Sequence, residues 1–313
     1  MQIINLSYPF QPHTFDVEVT MALGYFDGVH LGHQAVIQEA IRLAHLSGTE
    51  PAVMTFHPHP REVLGKAKIT RYLTPLSEKL ASFSELGVKR AYVMKFDTEF
   101  AQLTKEEFVQ QVLVPLQVKG VVTGFNYSFG RFASGKAEDL AILGKDLFTA
   151  KIVQPVEIEG KVLSSSRVRK ELAEGEMEIV SQILGRPYKV KGKVVLGDQR
   201  GRKMKFPTAN LQLDQPYMIP RRGVYVARVH YPTGVASGIM NIGVRPTFTE
   251  NEQVEKLEVH LLDRDLDLYG QELEVEMLHF IRDEQKFSSM NALIEQIQKD
   301  RQTAEEWLAA YVE

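Results

Sequence analysis

The sequence contains no cysteine, which excludes a disulfide framework, a thiolate metal site and a nucleophilic-cysteine mechanism. No stretch approaches the roughly 18 consecutive apolar residues of a membrane span, and Met1 to Phe10 lacks a basic segment followed by an apolar one. Nor is there an excess of charge of either sign. With 37 Lys and Arg against 40 Asp and Glu, the formal net charge is −3, which argues against a broad, sequence-independent grip on nucleic acid. Basic clusters are short, chiefly Arg200 to Lys205 and Arg221-Arg222. These absences predict a cytoplasmic protein with neither membrane nor nucleic acid among its partners, and they leave its oligomeric state open.

What is present suits folded domains. Of the 313 residues, 44% are hydrophobic and 25% charged, and a chain of this length favours two cores over one. The first half alternates strand and helix patterns. Val17, Val19, Met21 and Leu23 recur at period two, predicting a strand. A turn carrying Gly24, Gly28 and Gly32 follows, and Val36, Ile37, Ala40, Ile41 and Ala44 then predict a helix from about His33 to Ser47, ended by Gly48. Further buried strands are expected at Ala52 to Phe56, Ala91 to Phe96, Val121 to Thr123 and Ile152 to Val156. Thr104-Lys105-Glu106-Glu107 reads as a capping box. Such alternation predicts a Rossmann-like, doubly wound parallel sheet.

The pattern changes near Leu184-Gly185, giving expected domains 1–184 and 185–313. Beyond it lie short strand-like runs, Val190 to Leu196, Val224 to Val229, Gly238 to Ile242, Leu257 to Leu262 and Leu273 to Met277, with a turn at Tyr231-Pro232-Thr233-Gly234. They predict a compact antiparallel β-barrel. A terminal helix from about Ser288-Ser289, presenting Leu293, Ile294, Ile297, Trp307, Leu308 and Tyr311, is expected to cover it.

The strand, glycine-rich turn and helix start around residues 24–33 form a plausible phosphate cradle. Glycines admit a nucleotide to the backbone, and the helix N-terminus offers unpaired N–H groups. His30 and His33 add donors for phosphate oxygens. Ser164, Ser165 and Ser166, followed by Arg167 and Arg169 at an expected helix start, combine hydroxyl and N–H donors with fixed cations, suited to a triphosphate. By itself that segment reads first as a serine cap with an exposed arginine. His57 and Asn126 lie just past expected strand ends, where open α/β sheets bind ligands. Tyr127 and Phe129 suit either a site or ordinary packing.

Together these residues carry a resemblance. Gly24-Tyr25-Phe26-Asp27-Gly28-Val29-His30-Leu31-Gly32-His33 resembles the H-x-G-H nucleotidyltransferase motif of bacterial bifunctional riboflavin kinase/FAD synthetases. Phe56-His57-Pro58-His59-Pro60, the run Gly124 to Gly130 and Ser164 to Arg169 resemble that family's later adenylyltransferase motifs, in the same order. Val194 to Arg202, then Phe206-Pro207-Thr208-Ala209-Asn210, is similar to its riboflavin kinase signature. Gly223-Val224-Tyr225, Asn241 to Phe248, Glu258-Val259-His260 and Asp267 to Gly270 add to the match.

The resemblance implies an α/β FMN adenylyltransferase domain followed by a riboflavin-kinase β-barrel, with riboflavin, FMN, FAD and ATP as ligands and Mg²⁺ as the metal. It implies catalytic roles for His30, His33, Arg167 and Glu258, the last as general base. Ligand contacts are expected at Gly24, Phe26, Asp27, Gly28, His57, Asn126, Ser164, Ser165, Arg169, Gly197, Arg200, Gly201, Pro207, Thr208 and Asn210, with Thr208 also on the metal. Asp27 orients either the turn or a nucleotide group. Without its neighbours, Pro207 to Asn210 is a turn, and Glu258, on the opposite strand face from Leu257 and Val259, points either into a site or into water. Lys205 departs from the family, which has glycine there. It keeps open an FAD synthetase whose C-terminal module binds flavin without phosphorylating it.

Overall fold

The structure, a computed structural model, describes residues 1–10, 15–65, 71–197, 206–245, 254–264 and 266–311. The chain divides into two compact units, Met1–Ser165 and Ser166–Glu313.

The first unit runs β1 Gln2–Leu6, β2 Val19–Leu23, α1 Leu31–Ser47, β3 Glu50–His57, α2 Pro60–Val63, α3 Leu76–Glu85, β4 Arg90–Lys95, α4 Lys105–Phe108, β5 Val118–Gly124, β6 Ser128–Phe129, β7 Gly135–Lys136, α5 Ala137–Leu143, β8 Thr149–Val153, β9 Glu157–Ile158 and β10 Lys161–Val162. Six strands form one sheet in the order β1-β4-β3-β2-β5-β8, and every pairing in it is parallel. Strands β3, β4 and β5 lie where expected, β8 begins and ends three residues before the expected run Ile152 to Val156, and the edge strand β1 was not among the expected strands.

Every residue of β2 is buried. Its period-two residues Val19, Met21 and Leu23 join Ala52, Met54, Met94 and Val121 on one face. The intervening Ala22 joins Val53, Ala91 and Val122 on the other, against Val36, Ile37 and Ala40 of α1. A strand covered on both faces loses the polar alternation of a half-buried one. Gly48 ends α1 in the left-handed region (φ 70°), donating its N–H to the Ala44 carbonyl. Thr104 and Glu107 form the expected capping box of α4.

Because β2 is flanked by β3 on one side and β5 on the other, chain connections diverge from it. Open α/β sheets bind ligands at that crevice, beyond the strands' C-terminal ends. Residues 24–30 and Asn126 follow those ends, and His57 is the last residue of β3.

The second unit contains nearly all of α6 Ser165–Glu174, then α7 Met177–Leu184, β11 Tyr188–Val195, β12 Ala209–Leu213, β13 Gly223–Tyr231, β14 Gly234–Arg245, β15 Val254–Leu261, β16 Glu272–Arg282 and α8 Met290–Ala310. The strands close a barrel in the order β11-β12-β15-β14-β13-β16, with antiparallel pairing throughout. Five match the expected runs. The sixth, β12, starts inside the segment that alone reads as a turn: Ala209 and Asn210 are already paired with Val259 and Glu258.

Helix α8 starts at an Ser289 cap whose side chain accepts from Ala292 N–H. Ala304, Trp307 and Leu308 pack on Val224, Val226, Ile239 and Leu278. The tryptophan is only partly buried, stacked between His279 and Tyr311. A second anchor is polar. Buried Asp300 receives Arg282 Nε at 2.8 Å and Nη2 at 2.7 Å, a bidentate pair.

Candidate active sites

At the end of β2 the turn is built by strain and clamps. Phe26 (φ 58°), Gly28 (φ 88°) and Val29 (φ 43°) all occupy positive φ. For the two non-glycine residues this costs on the order of 1–3 kcal/mol each, so surrounding bonds must impose it. Asp27 supplies some of them: its Oδ1 accepts from Leu73 N–H at 3.0 Å and Thr74 N–H at 3.2 Å. Its carbonyl accepts from the Ser165 hydroxyl at 2.8 Å, joining the serine segment to the turn. Gly24 leaves room for the Phe26 ring, which a Cβ there would meet at 2.7 Å. Phe26 itself is 3% exposed and packs edge-on against Phe83. Its side chain supports the turn from below.

His30 is the N-cap of α1, accepting the His33 N–H on Nδ1 at 3.2 Å. A backbone N–H only donates, so Nδ1 is unprotonated and the neutral ring carries its proton on Nε2. The His30 and His33 rings stack with centroids 3.6 Å apart. His33 is partly buried, and its Nδ1 is enclosed without a hydrogen-bond partner among the described residues. Burial first, then the neighbouring His30 and Lys79, hold its pKa well below the usual imidazole value. His33 is therefore neutral at pH 7.

His57 ends β3, and desolvation, followed by Lys79, lowers its pKa against an opposing pull from Glu62. Asn126 is exposed just beyond β5. Tyr127 and Phe129 stack on each other and join the core, the packing role of the two read from sequence. Ser164 is partly buried. Arg167 and Arg169 fall in the second compact unit. Arg167 Nε lies 3.8 Å from Glu171 Oε1, and Arg169 Nη1 lies 3.6 Å from Met218 Sδ.

In the barrel, strand register brings together residues distant in sequence. Asn210 is the direct partner of Glu258, and Glu258 of Asn241 across β14. Opposed residues share a sheet face, so Asn210, Glu258 and Asn241 form a polar row while Leu211, Leu257 and Val259 are buried. Gly197 permits this: a Cβ there would lie 2.0 Å from the Asn210 amide. Lys256 Nζ pairs with Glu258 Oε1 at 2.8 Å, each side chain 22% exposed. His260 Nδ1 donates to the Pro207 carbonyl at 2.9 Å, tying the residue before Thr208 to β15. Arg200, Gly201 and Lys205 lie outside the described residues, as do Arg202 and Pro246 to Phe248.

Asn210 on this face and Thr208, just before β12, offer hard oxygen donors, a set that fits a hard divalent cation retaining waters and phosphates. A separate group, His230, Glu274 and Glu276, converges on the barrel. Its carboxylates already pair with Lys189, Lys191 and Arg228.

Lys79 and Lys256 were missed from sequence. For Lys79 a signal existed: Leu76, Lys79, Leu80 and Phe83 share one helical stripe, and a lysine among core positions is unusual. Lys256 had none, since pairing two residues along a strand is ordinary on a solvated face.

A family profile described as FAD synthetase matches residues 13–167, and one described as riboflavin kinase matches residues 184–308. Proteins named bifunctional riboflavin kinase/FMN adenylyltransferase are similar over almost the whole chain. The one from Listeria monocytogenes is 41% identical over 99% of both chains, that from Bacillus subtilis 40% over 97% of both, and that from Escherichia coli K12 37% over 92% of both. A solved structure described as a macrolide-efflux protein from Streptococcus pneumoniae has a TM-score of 0.89 at 31% identity, covering 97% of this chain and 99% of that one. Among the described residues no helix is long and apolar enough to cross a membrane. With both profiles matched in order and curated relatives aligned end to end, the chain belongs to the bifunctional riboflavin kinase/FMN adenylyltransferase family.

Proposed function

We propose that the chain makes flavin coenzymes in two ATP-dependent steps: riboflavin is phosphorylated to FMN with release of ADP, and FMN is adenylylated to FAD with release of pyrophosphate. The observation that carries this is the consecutive match of both enzyme families along one chain. We assign residues 1–184 to adenylyl transfer, residues 185–313 to the kinase, and the cytoplasm as its location. Both steps use a divalent metal ion, which we take to be Mg²⁺.

In adenylyl transfer an FMN phosphate oxygen attacks the α-phosphorus of ATP. The substrate brings its own nucleophile, so the protein's task is alignment and stabilisation of developing charge. His30 does this through Nε2–H, while its Nδ1 caps α1. His33 remains neutral beside it, and Arg167 contributes a fixed cation with Ser164, Ser165 and Arg169 as phosphate contacts. The main chain of Gly24 to Gly28, together with His57 and Asn126, lines the nucleotide and flavin positions.

In the kinase reaction Glu258 accepts the proton of riboflavin's terminal ribityl hydroxyl as that oxygen attacks the γ-phosphorus. Asn210, opposite Glu258 in register, and Thr208 are the residues that hold the metal and phosphates, with Gly197, Arg200, Gly201 and Pro207 around the nucleotide. When bound, the metal neutralises phosphate charge.

A time course from riboflavin, ATP and Mg²⁺ that resolves FMN from FAD tests the assignment. FMN should rise first and FAD follow. FAD formation from supplied FMN, with no FMN from riboflavin, would reduce the chain to its first activity.

A further inference from the structure

Lys79 holds a core position with a charged side chain. It is 2% exposed on α3, and a buried ammonium persists only where partners compensate its lost hydration. Its Nζ donates to the Tyr25 carbonyl at 2.8 Å and to Thr55 Oγ1 at 3.2 Å. The Thr55 hydroxyl donates to that same carbonyl at 2.9 Å, and Nζ lies 4.0 Å from the centre of the Tyr25 ring. Two donors thus converge on one oxygen. The carboxylate that attracts this ammonium, Asp27, is itself engaged by the Leu73 and Thr74 N–H groups.

That oxygen stands at the entrance to the strained turn. Phe26, Gly28 and Val29 follow at positive φ, and the turn is fixed at its middle by Asp27 and at its exit by the His30 cap. Lys79 supplies the clamp at the entrance. Its charge also reaches His33 and His57. Resting on the adenylyl-transfer reading given above, we propose that Lys79 is a positioning residue for FAD formation, acting through Tyr25 on the turn without touching a reacting atom.

A pH signature follows. Burial pulls the Lys79 pKa down to about 8, with Asp27 opposing, so its charge is present at pH 7 and lost as pH rises through about 8. The other titratable groups around the site are Tyr25, Asp27 and His30 in the turn, His33 on α1, His57 at the end of β3, His59, which packs on Tyr25, Glu62 on α2, and Tyr72. Removing the Lys79 cation raises the imidazole pKa values, because a neighbouring positive charge disfavours their protonated forms.

The experiment is the pH profile of FAD formation from FMN, ATP and Mg²⁺ in the full-length protein, Lys79→Met and Lys79→Arg, with riboflavin phosphorylation measured on the same preparations as a control for folding. Lys79→Met should lower kcat for FAD formation on the order of 10²-fold, as expected for a displaced site, with a smaller change in KM. It should also lose the alkaline limb near pH 8 and move the acid limb upward. Lys79→Arg, which stays charged, should shift the alkaline limb up by about one pH unit or more. A folded Lys79→Met with kcat within twofold and both limbs in place overturns the proposal; if that variant does not fold, an unmoved alkaline limb in Lys79→Arg does so. Failure of the unsubstituted protein to form FAD would instead overturn the functional reading beneath it.

Discussion

The turn at residues 24–30 and the β12–β15 face are both assigned to ATP chemistry, but they are made differently. The first stands at the ends of parallel strands and consists largely of main chain, held by Asp27, Ser165, Lys79 and the His30 cap. The second is a row of side chains, Asn210, Glu258 and Asn241, presented by antiparallel register. A turn can present N–H groups to phosphate, at the cost of positive φ that other residues must enforce. A barrel face needs no strain, but depends on each side chain. Substitutions around the first site should therefore act through its shape, and those in the second through single functional groups.

The largest expected effect is on the second site. Glu258→Gln keeps the size but loses the base, and should reduce FMN formation by about 10³-fold while leaving FAD formation from supplied FMN unchanged. Equal loss of both activities would break the separation of the two sites. His30→Ala removes both a helix cap and the Nε2–H donor. It should lower FAD formation about 10²-fold in steady-state assays with FMN formation intact; near-normal turnover by the folded variant would remove His30 from the mechanism.

Two stability measurements extend the comparison to the scaffolds. Asp300→Asn breaks the bidentate pair with Arg282 and should destabilise the barrel by about 2 kcal/mol in urea denaturation. That is less than the ~3–5 kcal/mol of a fully buried pair because Arg282 remains 18% exposed. Thr104→Ala, which loses the α4 cap, should cost the first unit about 1 kcal/mol. A larger loss there than for Asp300→Asn would reverse the assignment of the stronger polar anchor.

Most of the first unit was legible because helix and strand periods are written directly into apolar spacing. Val36, Ile37, Ala40 and Ala44 give the buried face of α1 without any knowledge of its neighbours. Strand β1 was missed: only Leu6 of its five residues is buried, so an edge strand shows little pattern. Strand β12 was missed because its partners are remote, and only pairing with β11 and β15 makes Ala209–Leu213 a strand. The polar anchors were invisible for the same reason. Nothing near Lys79 in sequence announces Tyr25, and nothing near Asp300 announces Arg282.

What the sequence determined by itself was the pair of folds, the order of the two chemistries and the residue types able to perform them, since local spacing and motif wording survive without a third dimension. Tertiary structure alone decided which nitrogen of His30 caps α1, that His33 is neutral, that Asn210 faces Glu258, and that a lysine 54 residues from Tyr25 holds its carbonyl. Those properties depend on burial, register and distance between remote segments, which no single stretch of sequence contains.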